Sequence, residues 1–211
     1  MLKNIIKELR NHAPFTTFGA LTGIIVMLFF YRLPEATAFQ IFYVLHPLHV
    51  VLSALVTASM YYHYKCGKLK VICNLLTLLI IGYVGSIGIA TLSDSLIPYL
   101  GEVLLNLPNR GMHIGFIEHW LIVNPAAILG VAIAYFWPRT KFPHAGHVLL
   151  STWASLFHII MALGGTITWF LSLAIFVFLF LAVWVPCCVS DIVFPLLFVG
   201  EHDHEAECCR Y

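Results

Sequence analysis

Residues 46–57 read HPLHVVLSALVT, and residues 144–155 read HAGHVLLSTWAS. The two segments share the pattern His-x-x-His-Val-x-Leu-Ser and end on Thr and Ser. A second match, SDSLIP at 93–98 and SDIVFP at 190–195, recurs at the same separation to within one residue. Two independent matches at nearly one separation predict that the chain contains two copies of one unit.

The composition predicts a membrane protein. Hydrophobic residues make up 61% of the 211 residues and charged residues only 10%, whereas soluble domains contain roughly 25% charged residues. The formal net charge of +1 excludes a nucleic-acid partner, because binding phosphates needs a concentrated basic surface. Neither a Walker A motif nor a Rossmann glycine pattern occurs, which argues against an ATP-driven pump in this chain.

Six transmembrane helices are predicted from the charge-free stretches, because a helix needs about 20 apolar residues to cross a bilayer. The stretches are 11–31, 36–64, 71–93, 119–138 and 142–190. The last is long enough for two helices, with Gly164-Gly165 as the turn between them. The predicted fold class is therefore an all-α integral membrane protein with six transmembrane helices.

The basic residues orient these helices. Only Arg32 and Arg110 fall on one side of a six-span arrangement, and all the others fall on the opposite side. The others are Lys3, Lys7, Arg10, Lys65, Lys68, Lys70, Arg139, Lys141 and Arg210. By the positive-inside rule, both termini are predicted to be cytoplasmic, in a plasma or inner membrane.

Three helices per copy have a topological consequence. The first copy is predicted to be residues 1–106 and the second residues 107–200, followed by a cytoplasmic tail at 201–211 that is rich in acidic residues, His and Cys. Because each copy crosses the membrane an odd number of times, the second copy is inverted relative to the first. Two inverted three-helix repeats around a central site are typical of secondary transporters.

Each repeat carries a polar stripe on an otherwise apolar helix. At about 100° per residue, the residues of each stripe fall on one narrow helix face, which is expected to face the protein interior. The first stripe comprises His46, His49, Ser53, Thr57 and Met60, and the second comprises His144, His147, Ser151, Ser155 and His158. Interhelical hydrogen bonding without a ligand explains the Ser and Thr residues equally well.

Two His-His-Asp sets are predicted as metal sites. His-x-x-His places two imidazoles on one helix face, and neutral imidazole together with a carboxylate suits zinc, nickel or iron. One set is His46, His49 and Asp94, the other is His144, His147 and Asp191, and His158 is a further candidate ligand. For Asp94, a competing interpretation is a helix cap at the membrane surface beside Pro98.

These sets favour a small secondary transporter or permease that moves a divalent transition-metal cation by alternating access. The predicted partners are the lipid bilayer and the cation, with homo-oligomerisation left open. The segment 110–119 contains His113, Glu118 and His119, which either gather a cation or form a solvated interfacial helix anchored by Trp120. The tail at 201–211 either binds metal or is simply solvated.

An integral-membrane metalloenzyme is the main alternative. The segment Ser155-Leu-Phe-His158 resembles the Ser/Phe-His motif of the zinc-dependent membrane hydrolases related to adiponectin receptors and alkaline ceramidases. That resemblance implies a zinc hydrolase, but the paired His that this family carries in a late span has no counterpart between residue 158 and the tail. An ion channel built from the same repeats, and a membrane protein that binds haem through the stripe histidines, remain as further alternatives.

Overall fold

The architecture is that of a computed structural model, which describes residues 2–67, 74–138, 141–188, 194 and 198. Eight α-helices make up most of this part of the chain, and no strand occurs in it. They are α1 Leu2–Phe30, α2 Glu35–Tyr61, α3 Leu75–Thr91, α4 Ile97–Leu104, α5 Gly115–Glu118, α6 Trp120–Phe136, α7 Lys141–Ala162 and α8 Trp169–Cys188. The prediction of an all-α chain is confirmed.

Several of these helices are long and apolar enough to cross a membrane. Five segments qualify within the described residues, one of which is Leu75–Leu104 and includes both α3 and α4. Helix α6 has the same apolar character over a shorter length of 17 residues. Large apolar side chains on the outside of the bundle are strongly exposed, with Phe29 at 79%, Phe136 at 83% and Phe170 at 77%. Apolar exposure of this extent suits a lipid surface and is unusual in a soluble protein, so the helices fit the predicted membrane class.

Helix α2 lies at the centre of the bundle, where it packs against α3, α6 and α7, while α1 packs against α8 and α7. Small residues allow this close packing. Gly130 of α6 lies directly against the backbone carbonyl of Val51, with no room for a Cβ atom. Helices α2 and α6 therefore meet backbone to backbone.

The turn between the last two helices is the predicted one. Gly164 and Gly165 have φ angles of 61° and 80°, in the left-handed region that favours glycine. They lie between the end of α7 and the start of α8. The long apolar stretch thus contains two helices, as the sequence indicates.

The third predicted span is longer in the structure than the sequence indicates. The charge-free stretch predicts its end at Ser93. In the structure the helix continues as a π-helical turn, Leu92–Leu96, and then as α4, so that Leu75–Leu104 forms one element of 30 residues. Pro98 lies just after the π-helical turn, and its missing N–H removes one hydrogen bond from the ladder at the same place. The cap interpretation of Asp94 is therefore wrong, because this residue lies inside a continuous helix.

Candidate cation site

The polar stripes of α2 and α7 face the interior, as predicted. Every residue of the first stripe is buried, and so are the residues of the second stripe from His147 onward, while His144 is half-buried. Within these two stripes, His49, Ser53, Thr57, His147, Ser151 and Ser155 are all 0% exposed. The bundle is thus apolar on its outside and polar at its centre, which places the candidate functional side chains in its interior.

Asp94 is the centre of this polar interior. Its side chain, on the π-helical turn, is 0% exposed. One carboxylate oxygen, Oδ2, accepts hydrogen bonds from Nδ1 of His46 at 2.9 Å and Nδ1 of His49 at 2.7 Å. The other, Oδ1, accepts from the hydroxyl groups of Ser93 at 2.7 Å and Ser151 at 2.9 Å. A buried carboxylate is thus held by four donors from three segments of the chain.

These four bonds determine which ring nitrogens remain available. An ionised carboxylate only accepts, and four donors occupy its four lone-pair positions. Nδ1 therefore carries the hydrogen in both His46 and His49, and Nε2 is the remaining nitrogen of each ring. Nε2 of His49 is buried and has no hydrogen-bond partner among the described residues, which is unusual for a buried polar atom.

His46 and His49 have different surroundings. The Nε2 edge of His46 faces Gly115, where a Cβ atom would collide with the ring, and the ring stacks on Phe42 with the centroids 5.3 Å apart. The ring of His49 instead lies beside His147 of α7, with the centroids 5.4 Å apart. His46 is therefore bordered by the bare backbone of a glycine, and His49 by another imidazole.

The two predicted histidine pairs adjoin. His147 contacts His49 on one side and His144, at 5.2 Å between centroids, on the other. The two pairs therefore lie side by side at the α2–α7 interface. Asp191, the predicted carboxylate of the second set, lies outside the described residues.

Ser155 holds α7 against the π-helical turn. Its hydroxyl lies 2.8 Å from the carbonyl oxygen of Ser93 and 2.7 Å from that of Ser151. A π-helical turn interrupts the regular hydrogen-bond ladder of a helix, so an acceptor there needs a partner from elsewhere. Ser155 provides it, which explains this stripe residue by packing alone.

Glu102 is a second buried acid, which was not predicted from the sequence. Glu102 on α4 is 1% exposed, and its Oε1 atom pairs with Nδ1 of His158 at 2.7 Å. Its other oxygen, Oε2, accepts from the backbone N–H of Gly111 at 3.3 Å. The available signal was the mostly apolar sequence at 96–105, which gave the helix room to continue past the charge-free stretch.

A third carboxylate lies where the loop after α4 meets α2. Glu118 on α5 accepts from the hydroxyl of Tyr43 and from Nδ1 of His113 at 3.3 Å. The side chains of His113 and Glu118 are 25% and 36% exposed. The segment 110–119, predicted either to gather a cation or to be solvated, is thus partly solvated. The ring of His113 also reaches the interior, where its centroid lies 5.5 Å from that of His158.

Within 2–67, 74–138 and 141–188, no group of three or more His, Cys, Asp or Glu side chains is arranged to hold a metal ion. The geometry instead offers imidazoles that are oriented by carboxylates, namely His46 and His49 by Asp94 and His158 by Glu102. In metal sites, an outer carboxylate commonly fixes the tautomer of a ligating histidine in this way. The pairs require water or backbone oxygen to complete the coordination of a cation.

The geometry of Ser155 and His158 does not support the resemblance to the zinc hydrolases. Nδ1 of His158 is engaged by Glu102, and the hydroxyl of Ser155 is engaged by backbone carbonyl groups. No protein-family model matches the chain, and comparisons with curated proteins and with solved structures find no similar protein.

Proposed function

We propose that this protein is a small secondary transporter that moves a divalent transition-metal cation across a membrane. In this proposal six helices, α1, α2, α3–α4, α6, α7 and α8, cross the membrane as two inverted repeats with both termini in the cytoplasm of the cell. The observation that carries the proposal is the buried Asp94, which binds two histidines of the first repeat and Ser151 of the second.

The pattern of helix contacts supports the inverted repeat. If the two repeats are exchanged, α1, α2 and α3–α4 change places with α6, α7 and α8. The α1–α8 contact then corresponds to the contact of α6 with α3–α4, and the α2–α6 contact corresponds to the contact of α7 with α1. Both members of each pair of contacts occur, and the α2–α7 contact converts into itself. A pseudo-two-fold axis through the α2–α7 interface accounts for all these contacts together.

Ser53 supports the same symmetry. It occupies the position in the first repeat that Ser151 occupies in the second. Its hydroxyl is buried and has no partner within the described ranges. Exchange of the repeats would give it Asp191 as an acceptor, just as Ser151 has Asp94. We therefore propose that Asp191 orients His144 and His147 in the second repeat.

The chemistry of the site suits a first-row transition metal. A histidine whose Nδ1–H group is fixed by a carboxylate presents an Nε2 lone pair, which is the usual donor to zinc, nickel or iron. In this assignment His49 and His147 bind the cation, with His46 and His144 beside them. Asp94 supplies one negative charge that offsets part of the charge of the ion, although it does not touch the ion.

Alternating access follows from the position of His49 and His147. These residues belong to different repeats, and their rings are in contact. A cation between them would therefore be handed from the first repeat to the second when the repeats rock against each other. The polar stripes on α2 and α7 would line the path on either side.

Flux of Zn²⁺, Ni²⁺, Fe²⁺ and Mn²⁺ into liposomes containing the purified protein tests the proposal. The sharpest variant is His49→Asn, because the Asn amide nitrogen occupies the position of Nδ1 and keeps a donor for Asp94, while Nε2 is lost. We expect at least a tenfold loss of flux in His49→Asn and in the double variant His49→Ala, His147→Ala. His63→Asn, which alters an exposed imidazole, is the matched control. Absence of metal flux in the wild type, or wild-type flux in both variants, would overturn the proposal.

A further inference from the structure

A second pair of imidazoles repeats the arrangement found around Asp94. Nδ1 of His158 is bound to Glu102 at 2.7 Å, and the two side chains are 0% and 1% exposed. Nδ1 of His113 is directed at Glu118 at 3.3 Å. The rings of His158 and His113 lie 5.5 Å apart between centroids. Two carboxylates therefore orient two neighbouring imidazoles.

An unpaired buried atom points to a ligand at this place. Nε2 of His158 is buried and has no hydrogen-bond partner among the described residues. Because an ionised Glu102 can only accept, Nδ1 of His158 carries the hydrogen and Nε2 is left with a lone pair. Leaving a buried acceptor unsatisfied destabilises the folded protein, and a bound cation would satisfy it.

One aromatic ring separates this pair from the Asp94 site. Phe42 is 0% exposed. One of its faces stacks on His46 at 5.3 Å with an interplanar angle of 17°, and its ring meets that of His158 at 5.5 Å and 80°. Phe42 is therefore in contact with one histidine of each pair.

The second pair has no counterpart in the other repeat. At the separation of the two copies, Met60 stands in the first repeat where His158 stands in the second. His113 lies in the loop that follows α4, and its side chain is 25% exposed. The pair is therefore present at one end of the bundle only, next to solvent.

We propose that His158 and His113 form a second divalent-cation site at this solvated end, and that Phe42 separates it from the site at His49. The proposal rests on the transport function proposed above. The second site would capture the cation from solution, and displacement of Phe42 would admit it to His46 and His49. Occupation of this site should lower the concentration of cation at which transport is half-maximal.

Equilibrium dialysis of the detergent-purified chain against Zn²⁺, with Zn²⁺ transport measured in liposomes, tests this site. We expect the wild type to bind two ions. His158→Asn keeps an amide donor for Glu102 and removes Nε2, so it should bind one ion fewer, and its KM for transport should rise about tenfold with little change in maximal rate. His49→Asn should lose the other ion together with transport. His63→Asn should behave as the wild type.

His113→Asn provides a second variant that does not touch the buried pair. It should show the same loss of one ion and the same rise in KM, and its elution and helical content should match those of the wild type. If His158→Asn and His113→Asn both keep two ions, or if the wild type binds one ion that only His49→Asn removes, the second site is refuted while the transport proposal stands. If the wild type neither binds nor transports Zn²⁺, both proposals fail for this metal.

Discussion

The hydroxyl of Ser151 on α7 donates a hydrogen bond to the carboxylate of Asp94 on the π-helical turn across 2.9 Å, and the two residues belong to different proposed repeats. Both residues are 0% exposed. The bond therefore links α7 to the π-helical turn at the point where the buried negative charge lies. Any motion of α7 relative to this turn has to lengthen or replace the bond.

Replacement of Ser151 should test the strength of this hydrogen bond. Ser151→Ala removes one of the four donors of a buried carboxylate, and hydrogen bonds to charged groups are worth about 1.5–3 kcal/mol. We expect a loss of this size in the free energy of unfolding, measured in mixed detergent micelles. Ser172→Ala, whose hydroxyl bonds only to the exposed backbone of its own helix, should change it by less than about 0.5 kcal/mol. Equal effects of the two substitutions would contradict the assignment.

The buried Glu102–His158 pair leads to a double-mutant prediction. Glu102→Leu leaves the imidazole of His158 without its partner, and breaking a buried pair from one side typically costs about 3–5 kcal/mol. Replacing both residues with Leu removes both buried polar groups, so most of that loss should be recovered. Thermal unfolding of the two single variants and the double variant measures this coupling. Additive losses would show that the two side chains do not interact.

Two helical glycines offer a matched comparison of packing. Gly130→Ala places a methyl group against the carbonyl of Val51 and must push α6 away from α2, at a cost of about 1–3 kcal/mol. Gly88→Ala meets no atom within 4 Å, and the better helix propensity of alanine should stabilise it by up to about 1 kcal/mol. The melting temperatures should therefore move in opposite directions. A similar shift in both variants would argue against the close α2–α6 contact.

Gly115 gives a functional prediction that leaves every histidine in place. The methyl group of Gly115→Ala would occupy the position of the His46 ring edge, so the imidazole would have to turn away from Asp94. We expect metal flux in liposomes to fall at least fivefold, with the helical content unchanged. Gly88→Ala is the control for the change of residue type. Wild-type flux in Gly115→Ala would indicate that the position of His46 is unimportant.

Thiol labelling can test the proposed topology. In a background without the six native cysteines, Arg110→Cys should react with a membrane-impermeant reagent added to intact cells. Lys65→Cys should react only after the membrane is opened, because the two residues lie on opposite sides of the six-span arrangement. Labelling of both from outside would refute it.

The features that were predictable from the sequence are those that depend on local patterns. Charge-free length predicts the apolar helices, the Gly164-Gly165 pair predicts the turn, and the spacing of the stripe residues predicts which faces of α2 and α7 are buried. Each of these signals lies within one or two helical turns, where periodicity and backbone preference act.

The features that were missed depend on distant partners. A rule that ends a helix at the first charge fails at Asp94, because donors from α2 and α7 make its burial tolerable. The same rule excludes Glu102, whose partner His158 lies on another helix far along the chain. Local composition cannot show that a charge will find such partners, so the third helix was predicted too short.

The π-helical turn at 92–96 also determines the direction in which the side chains of the following helix, α4, point around the helix axis. On an uninterrupted α-helix, residues eight positions apart differ by about 80° in direction, which would turn Glu102 well away from Asp94. By accommodating one extra residue, the turn reduces this difference to about 20°, and both acids reach α7. Deleting one residue between Asp94 and Glu102 would leave the acids seven positions apart on a regular helix, again about 20° apart in direction. The turn thus absorbs one additional residue while both acids stay on the face towards α7.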